Sequence, residues 1–327
     1  VGYSALTANT TGGNNTAVGQ EALQMNTTAS NNTAVGQRAL EENTTGERNT
    51  AVGSNALDAS TTASDNTAIG YEALSGGSLS GSDNVAVGGY SLDANTDGAD
   101  NTAVGKSSLG ANTTGDANTA IGREALLKNT TGQHNVCVGR TALKENTAGN
   151  YNVAVGQGAL RDNTSSNNVA VGNDALLLNT TGNDLVAVGI NALDANTTGS
   201  ENTAVGAFTL TACTTAINNT SIGYNALTTS TTGYNNTAIG ARSAQDTTTG
   251  FSNTYLGTSA GREITTAHNN TCIGIDAGRS TSPSGAITTA NDIIVLGNND
   301  IQHLYCADTS ISSSDSRDKT DVTNFTH

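Results

Sequence analysis

The chain contains little of what usually fills a protein core or crosses a membrane. Among its 327 residues there is no tryptophan, one proline and one methionine, and aromatic residues make up 3%. No apolar run reaches the roughly 20 residues that a membrane-spanning helix needs, so we predict no membrane insertion. Any core must therefore be built from small and aliphatic side chains.

Positive charge is also scarce. Lysine and arginine together number 13 against 28 aspartate and glutamate residues, which gives a net charge of −15 at pH 7. A surface with this balance repels polyanions, and this argues against nucleic acid and anionic membranes as partners.

What the chain does contain is a glycine that recurs every 17 residues. The ladder glycines are Gly2, Gly19, Gly36, Gly53, Gly70, Gly88, Gly105, Gly122, Gly139, Gly156, Gly172, Gly189, Gly206, Gly223, Gly240, Gly257 and Gly274. Only two steps differ, 18 residues into Gly88 and 16 into Gly172. A fixed period this short predicts an all-β solenoid of about 17 coils, in which each coil contacts only its neighbours.

One unit reads Asn-Thr-Ala-Val-Gly, then Ala-Leu, then Asn-Thr-Thr, as in residues 15–28. Side chains alternate across a strand, so the Thr and the Val share one face and the Ala between them takes the other. We predict two strands of roughly 4 to 6 residues per coil. A helix over the Ala-Leu segment is disfavoured, because turn-forming residues follow it at once.

The two faces of the strand suggest an inside and an outside. We expect the Val to meet a Leu, such as Leu23, from across the coil, and the small Ala, such as Ala17, to lie outside as the contact between subunits. One Val and one Leu per coil are little core for 17 ordered residues, which favours an oligomer. The Asn four positions before almost every ladder glycine, from Asn15 to Asn270, is expected to form a structural ladder of stacked amides.

Cysteine and histidine form no recognisable site in the sequence. Cys137 and Cys272 lie eight coils apart, too far to bond within one chain, so buried free thiols are expected, with a bond between chains as the alternative. The other thiols are Cys213 and Cys306, and the four histidines (His134, His268, His303 and His327) share no spacing. We therefore predict no metal, no cofactor and no enzymatic activity on other molecules.

The units Asn-Thr-Ala-Val-Gly and Asn-Val-Ala-Val-Gly, the latter at 84–88 and 152–156, resemble the head repeats of YadA-like trimeric adhesins. The resemblance covers residues 1 to about 274. It implies a parallel, left-handed β-roll and a homotrimer, so the chain itself is an expected partner.

The repeat weakens towards the carboxyl end, where the Leu position becomes Ala244, Gly261 and Gly278. We divide the chain into a solenoid at 1–278, a β-type transition segment at 279–313 and a further segment at 314–327. Residues 312–322 resemble the start of the self-cleaving intramolecular chaperone of phage tail spikes and fibres. That resemblance implies a dyad of Ser314 and Lys319 and cleavage between Ser313 and Ser314; a polar, disordered tail is the alternative.

Together these features predict a structural and adhesive protein, part of a trimeric phage tail fibre on the virion, displayed outside the cell. Its host receptor is expected to contact Tyr71, Tyr90, Arg123 and Tyr224 near the strand ends, although each of these could equally be ordinary solvated surface. The first alternative is the head of a bacterial trimeric adhesin on the cell surface. Ice binding through ranks of threonines, such as Thr27, is the second.

Overall fold

The computed structural model describes residues 1–77 and 79–303. Within these residues the regular secondary structure consists of seventeen short strands and no helix. The strands are β1 Thr16–Val18, β2 Thr33–Val35, β3 Thr50–Val52, β4 Thr67–Ile69, β5 Val85–Val87, β6 Thr102–Val104, β7 Thr119–Ile121, β8 Val136–Val138, β9 Val153–Val155, β10 Val169–Val171, β11 Val186–Val188, β12 Thr203–Val205, β13 Thr220–Ile222, β14 Thr237–Ile239, β15 Thr254–Leu256, β16 Thr271–Ile273 and β17 Ile294–Leu296. In this part of the chain no helix is long and apolar enough to cross a membrane.

Each strand pairs in parallel with the next one along the chain, so β1 to β17 form a single stack. Equivalent residues lie beside each other, as Ala103 does beside Ala120. The predicted all-β parallel solenoid with 17-residue coils is confirmed.

The expectation of two longer strands per coil was wrong. The Ala-Leu segment forms a turn instead, although it is still bonded from coil to coil: the Leu126 N–H donates to the Ala142 carbonyl at 2.9 Å. Its Leu residues adopt left-handed backbone angles, such as φ 52° at Leu126, and these are incompatible with an extended strand.

The core lies on the opposite face of the strand from the one expected. The central Ala of the strands is fully buried, as at Ala103, and so is the turn Leu, as at Leu109. The flanking Val and Ile side chains point outward, and Val18 is 44% exposed. The predicted Val–Leu contact and the predicted subunit contact through Ala17 and the equivalent alanines, such as Ala34, are therefore wrong. Alternation separates the two faces, but the narrow width of the coil decides that the small residue lies inside.

The ladder glycines are required by both conformation and space. Gly105 has φ +132°, a region that other residues rarely adopt, and a Cβ added there would lie 2.6 Å from the carbonyl oxygen of Gly122. The same relation repeats up the stack, which explains why the period is marked by glycine.

The predicted Asn ladder is present, with one interruption at Leu185, whose backbone N–H donates to the Asn168 Oδ1 at 3.1 Å. The Asn118 Oδ1 accepts from the Asn135 backbone N–H at 3.0 Å, and the Asn118 Nδ2 donates to the Gly132 carbonyl at 2.9 Å.

A second buried ladder, which we did not predict, uses the Asn of Asn-Thr-Thr: the Asn129 Nδ2 donates to the Asn112 Oδ1 at 2.8 Å. Both ladders satisfy polar groups that the small core could not otherwise bury.

The carboxyl-terminal coils keep the stack but change its filling. Tyr255 occupies the Ala position of β15 and is fully buried, and the Leu position facing it is Gly261, where an added Cβ would overlap the tyrosine ring. In the next coil Cys272 takes the Ala position, and a Cβ at Gly278 would lie 2.9 Å from its Sγ. The described part of the predicted transition segment, residues 279–303, adds β17 in register on β16.

Candidate interaction surface

The outer face of the strand stack exposes two columns of mostly β-branched side chains. We call the first and third residues of β1–β17 the strand face. Its third positions are Val, Ile or Leu throughout, with exposures such as 40% for Ile121 and 45% for Leu256. Its first positions are mostly Thr, but they are Val in β5 and in β8–β11, so the middle of the stack is especially apolar.

The aromatic side chains expected to meet a receptor lie where the strands end, and they form pairs across neighbouring coils. Tyr71 and Tyr90 are 48% and 37% exposed and meet edge to face, with ring centroids 5.4 Å apart. Tyr224, 49% exposed, meets Phe208 in the same way at 6.1 Å. A hydrogen bond to Glu72 raises the pKa of Tyr71 to about 12. The structure therefore places these rings near one another in pairs rather than in one site.

The fourth expected contact residue, Arg123, lies on a different set of coils. Its guanidinium bonds the Glu124 carboxylate at 3.0 Å, and the Lys144 Nζ reaches the same carboxylate at 3.0 Å. The two cations, Lys144 above all, lower the pKa of Glu124. Arg123 is exposed and belongs to a small cluster of charged groups.

Two histidines lie in ring stacks. His134 stacks on Tyr151 with ring centroids 5.1 Å apart, and His268 stacks on Phe251 at 4.7 Å. Phe251 also stacks on Tyr234, so three rings follow one another up the rod. Since stacked rings cover each other's faces, their edges are the parts left for solvent.

Three of the cysteines are buried free thiols, as predicted: Cys137, Cys213 and Cys272. Burial raises the pKa of each thiol, to about 11 for Cys213 and Cys272. Thiols of this kind are poor nucleophiles and poor metal ligands. Cys306 lies outside the described residues.

Threonines considered for ice binding donate their hydroxyl hydrogen bonds to backbone carbonyls of the next coil. The Thr113 Oγ1 donates to the Thr130 carbonyl at 3.0 Å, and the Thr27 Oγ1 donates to the Thr44 carbonyl at 3.2 Å. The Asn-Thr-Thr triplets match the acceptor pattern for N-glycosylation, but from Asn26 to Asn196 the Asn of each triplet is fully buried and closed to modification.

An open polar depression beyond β16 is lined by Asp276, Ser280, Thr281, Asn298, Asn299 and Asp300. No group of three or more histidine, cysteine or acidic side chains at 1–77 or 79–303 is arranged to hold a metal. Ser313, Ser314 and Lys319, and with them the expected self-cleavage site, lie outside the described residues.

Comparison of this chain with protein-family models, with curated proteins and with solved structures gave no match.

Proposed function

We propose that the chain is the shaft of a homotrimeric phage tail fibre that attaches the virion to a host cell. Seventeen rungs, each hydrogen-bonded to the next, make a stiff rod. At about 4.8 Å per rung this rod is about 80 Å long. A rod of this length and stiffness is suited to reach and display. Its interior is filled by alanine, leucine and asparagine.

The observation that carries the proposal is the exposed strand face. Contiguous apolar strips are rare on the surface of a monomer and mark sites of association. Further copies of the chain that cover this strip would add apolar burial to a rod whose own core is thin. The subunit contact thus moves from the Ala face to the Val face. Parallel copies in register would bring the Val-rich rungs β8–β11 together.

Light scattering on strand-face variants tests the assembly. Val136→Asp, Val153→Asp and Val169→Asp, combined in one variant, should reduce the trimer mass to that of a monomer, because each charge would be buried in an apolar contact. Gln157→Asp with Asn173→Asp, just beyond the strands, is the control and should leave the trimer intact. A wild-type chain that is monomeric would contradict the proposal.

The carboxyl-terminal junction belongs to the same proposal. A chaperone segment would assist trimer formation and then be released by cleavage between Ser313 and Ser314. The Lys319 amine, held near the Ser314 hydroxyl and partly desolvated, would act as the general base. A chain extended by its downstream region should remain uncleaved when it carries Ser314→Ala; normal processing of that variant would exclude the dyad.

The head of a bacterial trimeric adhesin is the alternative supported by the same repeat and the same strand face. An adhesin head would continue into a heptad coiled coil and a membrane anchor, whereas a tail fibre would continue into the chaperone. The residues encoded downstream of His327 distinguish the two.

Ice binding is a weaker candidate that one observation favours. The strand face is a regular Thr-x-Val array on stacked strands, with Thr102 and Val104 as one rung. A thermal-hysteresis assay on the chain decides: a freezing-point depression that Thr102→Lys and Thr119→Lys remove would support ice binding, and no depression would exclude it.

A further inference from the structure

We infer that three cationic side chains on consecutive coils, Lys106, Arg123 and Arg140, bind a linear acidic polysaccharide. We call them the cation column. This inference rests on the proposed attachment function and names the class of receptor that the shaft would recognise.

The column is built by the repeat. Each residue directly follows a ladder glycine, after β6, β7 and β8 respectively. The carbonyls of Lys106 and Arg123 accept hydrogen bonds at 3.0 Å from Glu124 and Thr141 of the next coil, and the Arg140 carbonyl accepts one from Gly158 at 3.1 Å. All three side chains are exposed. Cationic groups therefore repeat once per coil, about every 4.8 Å along the rod.

The chain itself does not neutralise these charges. Within residues 1–77 and 79–303, the Lys106 ammonium and the Arg140 guanidinium form no side-chain hydrogen bond and no ion pair. Arg123 shares the Glu124 carboxylate with Lys144. Two of the three column cations thus have no counter-ion among the described residues, and the third shares its carboxylate with another cation. Like charges one coil apart repel each other, so the column does not stabilise the fold.

The negative charge of the rest of the molecule directs an anionic polymer to this local excess of positive charge. With a net charge of −15, most of the surface repels an anionic polymer, so such a polymer can dock where the charge is reversed. The column continues through Gln157 and Asn173 on the next two coils, whose amides can bond sugar hydroxyls. A linear polymer with repeated acidic groups fits this run of three charges followed by two amides.

A polysaccharide fits better than a nucleic acid. Single-stranded nucleic acids are held by cations combined with aromatic side chains on which bases stack. The side chains next to the column residues on the same coils are Ser107, Glu124 and Thr141, which offer two hydroxyls and a carboxylate. None of them provides a stacking surface, and hydroxyls are suited to sugar hydrogen bonds. The nearest exposed rings at this end of the strands, Tyr71 and Tyr90, lie on the two preceding coils and pack against each other.

The test measures binding of the full chain to dextran sulfate, polygalacturonate, neutral dextran and single-stranded DNA by isothermal titration at low salt. Wild type should bind one or both acidic polymers and not dextran, and the preferred polymer tells sulfate from carboxylate. The combined variant Lys106→Gln, Arg123→Gln and Arg140→Gln should bind about tenfold or more weakly, since three exposed charge contacts are lost. The control variant Arg48→Gln, Arg242→Gln and Arg262→Gln has the same net charge on other coils and should bind like wild type.

Four results would overturn the inference: no binding of wild type to either acidic polymer, equal weakening in the control variant, tighter binding to single-stranded DNA, or loss of oligomer mass in the column variant. The last would show that the column pairs with another copy of the chain. Light scattering on each sample distinguishes failure of the polysaccharide inference from failure of the proposed fibre. An intact trimer that binds neither polymer would refute the polysaccharide alone, whereas a monomeric wild type would refute the fibre.

Discussion

The regular coils up to β14 and the coils of β15 and β16 have the same backbone but different interiors. In most coils before β14 a central Ala faces a turn Leu, as Ala103 and Leu109 do, whereas the coil of β14 already has Ala244 at the Leu position. In the later coils Tyr255 faces Gly261 and Cys272 faces Gly278. The comparison teaches that in the coil of β15 the combined volume of the two positions is conserved while the residues are not, since Tyr255 at one position coincides with glycine at the other.

The largest loss of stability is expected in a coil that combines the Tyr of the β15 coil with the Leu of the earlier coils. Gly261→Leu restores the Leu of the regular coils but forces it into the ring of Tyr255, so unfolding should become easier by about 3 kcal/mol or more. Tyr255→Ala should cost about 3–5 kcal/mol through the cavity it leaves. The double variant recreates a regular coil and should recover most of both losses. Chemical denaturation of the four proteins measures the coupling; additive losses would contradict conserved rung volume.

A second prediction concerns a feature that both regions share, the ladder glycine. Gly88 has φ +130°, and an added Cβ would lie 2.7 Å from the backbone of Gly105. Gly88→Ala should therefore lower the free energy of unfolding by about 2–3 kcal/mol or more. Gly89→Ala is the matched control: the nearest atom lies 3.7 Å away and the backbone is ordinary, so no loss is expected. Similar melting temperatures for the two variants would contradict the role of the ladder.

A third prediction compares an unbroken stretch of the second Asn ladder with its interruption. Asn112 donates to Asn95 and Gly115 and accepts from Asn129, whereas the Asn43 Oδ1 has no partner because Ser60 follows it in the ladder. Asn112→Ala should destabilise more than Asn43→Ala, by about 1 kcal/mol, which is the worth of one further hydrogen bond. Equal losses in denaturant titrations would show that the stacked amides do not act as a ladder.

The smallest change in stability is expected at Asp58, which lies five positions after a ladder glycine. The equivalent position in the coil of β15 is Arg262. Burial raises the pKa of Asp58, and its Oδ1 has no partner. A raised folded-state pKa means that the ionised carboxylate opposes folding once the pH exceeds that value, and that the penalty disappears as the pH falls below the unfolded value near 3.8. Asp58→Asn should slightly raise the melting temperature at pH 7 and leave it unchanged at pH 3. A rise of equal size at both pH values would contradict this assignment.

The sequence was sufficient for the architecture because the glycine period carries it: each glycine is sterically required in every coil. Two features needed the structure. Alternation in Thr-Ala-Val distinguishes two faces but not which is inside, and the width of the coil places Ala17 and Ala34 there. The left-handed turn at residues such as Leu126 is not a local preference of leucine, so the second strand was expected in error.

The surface features were only partly within reach of the sequence. The exposed aromatic residues could be placed near the strand ends, because their distance from the ladder glycine is fixed. Their pairing, as between Phe208 and Tyr224, depends on side-chain rotation between coils. The cation column is visible at 17-residue spacing, but the absence of partners for Lys106 and Arg140 among the described residues is a structural observation.

Electron cryomicroscopy of the full chain tests the central claim most directly. The account predicts three parallel rods with rungs about 4.8 Å apart, alanine and leucine inside each rod, and the strand face at the contact between copies. Isolated single rods, or copies that touch through any other face while the Val and Ile columns remain in solvent, would contradict it.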